Sequence, residues 1–171
     1  MSTTTSPRDL YLQGVRNAHA EKNQSAQALQ RQVGRLENYP ELKAGYQRHI
    51  QECQEQAQRL EQILGTHDSS SSSVKDAVTG LVGNVASAVH AAMSDEVLKN
   101  AFSTYAMVHH EIAAYTSLIA MAEAAGDQQN VPVLRQGLQE EEAMAKFMEG
   151  QIVPVTQRYM QLAESGQTAK V

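Results

Sequence analysis

The stretch THDSSSSSVKDAVTGLVGNVASAVHAAMS, residues 66–94, decides the topology. Its serine run, Ser69 to Ser73, is too polar to pack and reads as a solvated linker. Val74 to Met93 then mixes Ala and Val with Gly80 and Gly83, which predicts a short, weakly specified helix. About 18 helical residues cover ~27 Å and extended residues add ~3.3 Å each, so this connection is long enough to run the length of a helical bundle. The segments on its two sides can therefore be joined across opposite ends of one core.

Two amphipathic segments lie on the N-terminal side. Leu42, Tyr46, His49, Cys53, Gln56, Leu60 and Ile63 recur at steps of three and four, with Glu52 flanking the stripe and Gly65 closing the helix. Asn38, Tyr39 and Pro40 form the turn before it, because the residue preceding proline is pushed out of helical geometry and proline fits a helix start. In the segment before that turn, Val15, Ala18, Lys22, Ser25, Leu29, Val33 and Leu36 share one face. Ser6, Pro7 and Asp9 supply its cap, its first-turn proline and an early acid. Lys22 is the charged residue that interrupts the face.

The C-terminal side repeats the plan. Ser94, Asp95 and Glu96 open a helix whose predicted core face is Leu98, Phe102, Tyr105, Val108, Ile112, Tyr115 and Ile119, ending near Gly126. Asp127 can cap the next helix, whose stripe is Val131, Leu134, Leu138, Glu141, Ala145, Met148 and Ile152; Pro154 should kink or end it. Short turns make antiparallel neighbours, and one long connection separates the two pairs. The expected fold is therefore all-α, a ferritin-like four-helix bundle with a long crossover containing a short helix between its second and third helices. Residues 1–6 form an N-terminal tail, 7–164 a single domain and 165–171 a polar, disordered tail.

Composition agrees. The 171 residues suit one domain; aromatics are 5%, tryptophan is absent and there are four prolines, which favours long helices over strands. The net charge of −5 argues against nucleic acid as a partner. Cys53 is the single cysteine and cannot form an internal disulfide, and no apolar run approaches the ~20 residues that span a bilayer. No secretory segment follows Met1, so the expectation is a cytoplasmic chain with no membrane partner.

The polar residues inside the stripes carry what chemistry there is. In metal-binding bundles, acids and histidines from four helices converge at mid-height, because carboxylate oxygens and imidazole neutralise and orient paired iron or manganese. His49 and Glu52 stand in the right i, i+3 relation, Glu141 occupies an apolar register, and Glu111 is the best placed of His109, His110 and Glu111. Glu140 and Glu142 read as a solvated face, and Met144 and Met148 as core fillers. His19 and His90 have no carboxylate at helical spacing and read as structural.

Asn38-Tyr39-Pro40-Glu41-Leu42, Arg48-His49-Ile50-Gln51-Glu52, Glu111-Ile112-Ala113-Ala114-Tyr115-Thr116-Ser117-Leu118 and Leu138-Gln139-Glu140-Glu141 resemble the bacterial YciE/YciF ferritin-like family, closest to its YciE branch. The resemblance runs from about Arg8 to Tyr159. It implies a ferritin-like bundle, often dimeric, from stress-response gene clusters, with a di-iron or di-manganese site and no settled reaction. His49, Glu52, Glu111 and Glu141 match family residues, but Lys22 and Val108 stand where the family has glutamates. Glu21, next to Lys22, is a fifth metal ligand only if a register shift or bulge swings it inward.

Three readings follow. In the first, the metal site is degenerate, Lys22 serves as its counter-charge, and the protein acts non-catalytically in stress tolerance as a homodimer with an unidentified protein partner. In the second, a di-iron or di-manganese oxidoreductase handles dioxygen or peroxide, with Tyr105 or Tyr115 shuttling electrons. In the third, the chain is a metal-free helical interaction domain. The first, which makes the chain no enzyme and leaves it without a cofactor, is favoured by Lys22 and Val108.

Overall fold

The computed structural model describes residues 5–67 and 95–169. The serine run and the short helix expected over 74–93 lie outside the described residues, as do residues 1–4, 170 and 171. Four α-helices follow one another among the described residues: α1 (Pro7–Val33), α2 (Pro40–Thr66), α3 (Glu96–Ala124) and α4 (Val131–Glu164).

Local chemistry sets the helix ends. Ser6 Oγ accepts from the Asp9 amide at 3.1 Å while the Asp9 carboxylate accepts from the Ser6 amide at 3.1 Å, a reciprocal cap with Pro7 as the first helical residue. Pro40 opens α2 in the same position. After α3 the backbone turns at Gly126, whose φ of 78° is a left-handed conformation that glycine adopts without a Cβ penalty. Asp127 does not cap α4, contrary to expectation. Asn130 is the capping residue, and Asp127 is buried beneath it, accepting from Asn130 Nδ2 at 2.8 Å with His67 Nε2 also 2.8 Å away. Nor does α4 end at Pro154. The carbonyl that proline leaves without a donor is that of Gly150, which is exposed, so water can satisfy it and the helix continues to Glu164.

α1 packs along α2 and α3 along α4, with further contacts between α1 and α3 and between α2 and α4. At one end Arg8 donates to the His67 carbonyl at 3.2 Å and His67 meets Asp127, so the start of α1, the end of α2 and the α3–α4 turn lie together. At the other end the Arg35 guanidinium grips both oxygens of Glu96 at 2.7 Å, joining the end of α1 to the start of α3. α2 and α3 therefore run the same way, and the chain leaves one at the opposite end from where it enters the other. This is the ferritin-like four-helix bundle.

The apolar interior forms two clusters. One gathers Tyr11, Leu12, Val15, Leu60, Ile63, Leu118 and Leu134, and the other Leu29, Val33, Leu42, Tyr46, Val97, Val108 and Met148. The α3 face differs from its predicted stripe. Val97, Ala101, Thr104, Val108, Glu111, Tyr115, Leu118 and Ala122 point inward, whereas Phe102 is 50% exposed and Leu98, Tyr105 and Ile112 flank the core. Close helix packing selects small side chains at Ala101 and Thr104, and the larger ones are displaced to the shoulder. Residues 165–169, assigned above to the polar tail, follow α4 back to the α1–α2 turn, where Asn38 donates to the Thr168 carbonyl at 3.0 Å and the Tyr39 hydroxyl to that of Ala169. No described helix is long and apolar enough to cross a membrane.

Candidate functional site

Between the two clusters each helix contributes polar side chains to one buried centre. The phase that turns Ala18 and Leu29 inward turns Lys22 and Ser25 inward as well, and the same holds for His49 and Gln56 on α2, Glu111 on α3 and Glu141 on α4. Lys22, Glu111 and Glu141 are 1%, 2% and 0% exposed. Lys22 Nζ lies 2.7 Å from Glu141 Oε1 and 2.9 Å from Glu111 Oε2, so one ammonium ties α1 to both α3 and α4. Ser25 Oγ donates to Glu111 Oε1 at 2.7 Å, and Gln56 Nε2 donates to Glu141 Oε1 at 2.8 Å. The Tyr115 hydroxyl donates in turn to Gln56 Oε1 at 3.0 Å, and its ring centroid is 5.7 Å from Lys22 Nζ. His49 Nδ1 is 2.9 Å from Glu52 Oε2, and its other nitrogen faces Glu141 Oε2 at 3.5 Å.

Charge sets the protonation states. Burial works against the Lys22 ammonium, but the carboxylates of Glu111 and Glu141 outweigh it and hold its pKa above the ordinary lysine value. Burial raises the Glu111 carboxyl above its usual range, and Lys22 opposes that rise. Burial likewise disfavours protonated His49, yet hydrogen bonds to Cys53 and Glu52 and the Glu141 charge raise it to about 10. Lys22 and His49 thus face Glu111 and Glu141 across the interior, with Glu52 on the rim.

A profile of the domain of unknown function DUF892 matches residues 6–161. The chain belongs to the DUF892 family. Among solved structures, this DUF892 chain is similar to a Xanthomonas campestris pv. campestris protein at 24% identity and a TM-score of 0.76, over 92% of this chain and 98% of that one. It is similar to YcfI of Rhodopseudomonas palustris at 25% identity and a TM-score of 0.71, over 87% and 97% of the two chains. It also resembles the E. coli stress protein YciF at 16% identity and a TM-score of 0.70, over 90% and 96%. The family match and the YciF-like neighbours agree with the YciE/YciF-type resemblance and with the four-helix bundle.

The fold implies a pair of iron or manganese ions, and the residues of this DUF892 chain do not fit one. His49, Glu111 and Glu141 offer ligand atoms within 4.8 Å of one another. The Lys22 ammonium, however, already sits against oxygens of both acids. A divalent ion ~4 Å from an ammonium is repelled by about 8 kcal/mol at an effective dielectric of 20. Val108 is fully buried and has no ligand atom.

The structure separates the other sequence-predicted residues. Glu52 reaches His49 but is 30% exposed, at the rim rather than the centre. Glu21 points away from Lys22's side of α1, 35% exposed and 3.5 Å from His110 Nε2, which is itself 69% exposed. α1 continues as a regular α-helix through Glu21 and Lys22, without the bulge that would exchange them. Glu140 pairs with Arg59 on the flank of α2, His109 and His110 are exposed, and Met144 and Met148 fill the core. Ser25 and Gln56 were given no role by the sequence reading, although each stood as a polar residue in an apolar stripe, the same signal that marked Lys22 and Glu141.

Proposed function

We propose that this chain is a stress-associated ferritin-like bundle protein that acts non-catalytically, as a cytoplasmic homodimer with a binding or structural role. Its single domain spans 7–164, and Lys22 stands where a metal centre would have its positive charge. The carrying observation is the paired contact of Lys22 Nζ with Glu111 and Glu141, at 2.9 and 2.7 Å. The likeness to YciF, described as a stress protein, supports the stress association. Elemental mass spectrometry on protein expressed with added iron and manganese tests the reading, together with a peroxide-consumption assay. The expected result is no stoichiometric metal and no metal-dependent turnover, and two tightly held ions per chain would sink it.

One observation favours a di-metal oxidoreductase instead: the convergence of His49, Glu111 and Glu141 ligand atoms. That reading requires the Lys22 ammonium to withdraw from both acids. Peroxide consumption that needs added metal and disappears in Glu141→Ala is its distinguishing result.

A further inference from the structure

Resting on the reading that the natural centre is metal-free, we infer that the Lys22 ammonium keeps His49, Glu111 and Glu141 from binding one divalent cation. These residues present one imidazole nitrogen and two carboxylates, a donor set that suits zinc, manganese and ferrous iron. Their ligand atoms converge within 4.8 Å, and the ammonium occupies the electrostatic minimum between the two acids at 2.7 and 2.9 Å. Its removal leaves Glu111 and Glu141 without the charge between them, and a divalent ion that takes the place of the ammonium and displaces the proton from the His49 nitrogen facing Glu141 restores the balance. Contacts other than those of Lys22 also orient the three side chains: Ser25 holds Glu111 Oε1, Gln56 shares Glu141 Oε1 with Lys22, and Glu52 holds the far nitrogen of His49. Glu141 Oε2 and His49 Nε2 have no hydrogen-bond partner and face each other at 3.5 Å.

The site takes one ion and not two. Glu111 and Glu141 are the buried carboxylates at this level among the described residues, Glu52 turns to the rim, and Val108 closes the place where further carboxylate oxygen would be needed. The inferred centre is therefore mononuclear, unlike the paired centre that the fold implies.

The test compares the natural chain with Lys22→Ala and Lys22→Gln. Alanine opens the space of the ammonium and its stem, and glutamine keeps a neutral side chain there with an amide oxygen that can join the ligands. Zn2+ and Mn2+ binding is measured by equilibrium dialysis, with thermal unfolding recorded with and without each ion. The expected result is no uptake by the natural chain, one ion per chain in both variants, and a melting temperature that rises with the ion in the variants alone. Glu141→Gln added to either variant should abolish the uptake. A folded variant that stays empty, or one that takes two ions, overturns the inference and leaves the proposed function standing. Uptake by the natural chain overturns both. If both variants fail to fold with and without the ions, the inference is also overturned, since it requires the ion to replace the charge of the ammonium.

Discussion

The middle and the ends of this bundle are built from the same helices by different physics. In the end layers, Leu29, Tyr46 and Met148 on one side and Val15, Leu60 and Leu134 on the other are held by area removed from water, a non-directional force that tolerates exchange among similar volumes. In the middle, Lys22, His49, Glu111 and Glu141 are held by placed charges at 2.7 to 3.5 Å, and the cost of burying each is offset only while its partners remain. The ends therefore supply stability, and the middle sets helix register. Lys22 contacts Glu111 and Glu141 together only at one rotation of α1 against α3 and α4.

The middle and the ends should differ most at Lys22. Lys22→Met should destabilise the fold by about 3–5 kcal/mol by orphaning two buried acids. Adding Glu111→Leu and Glu141→Leu should recover most of that loss, because an apolar layer replaces the ionic one. Urea denaturation of the single and triple variants checks both, and a harmless single variant would show that the middle behaves like the ends.

The next effect is in pH. The pKa of His49 is raised from 6.5 to about 10, so its contribution is complete below the unfolded value and is lost as pH rises through the folded one. Stability should fall between about pH 6.5 and 10, by a few kcal/mol in order of magnitude. Unfolding midpoints across that range should flatten in His49→Gln, and an unchanged slope in the variant would assign the dependence elsewhere.

In the end layers, Leu29→Ala should cost about 3 kcal/mol, as a cavity in a fully buried site does, with no pH dependence. Gly137→Ala lies at the border of the two regimes. A Cβ there would come within 2.5 Å of the Tyr115 ring, which hydrogen-bonds to Gln56, so a loss of about 1–3 kcal/mol is expected, and hydrogen exchange should show whether the loosening spreads to the centre. Glu21→Gln is the smallest, under about 1 kcal/mol, since its pairing with His110 is solvent-exposed. A Glu21→Gln loss as large as that of Lys22→Met would mean that α1 is turned one residue from the phase described.

Most of the architecture was legible in the sequence because amphipathic period and cap chemistry act locally. The capping box at Ser6 and Asp9, the turn before Pro40 and the inward phase of Lys22 and Glu141 all follow from residues within a few positions of each other. On α3 the apolar period places Val108, Tyr115 and Ile119 inside but puts Leu98, Phe102, Tyr105 and Ile112 there as well, because large apolar side chains mark the edge of a close helix contact as readily as its middle and outweigh Ala101 and Thr104. Asp127 was read as a cap, but the partner that fixes it, His67, is distant in sequence. Ser25 and Gln56 could be placed inside but not assigned, because their partners lie on α3 and α4 and only the packed bundle brings them together.

The most direct measurement is a crystal structure of the protein grown with Mn2+, with anomalous scattering recorded at the centre of the bundle. No anomalous peak is expected among His49, Glu111 and Glu141, with Lys22 Nζ within hydrogen-bonding distance of both acids. A manganese peak there, with the Lys22 side chain turned away, would contradict it.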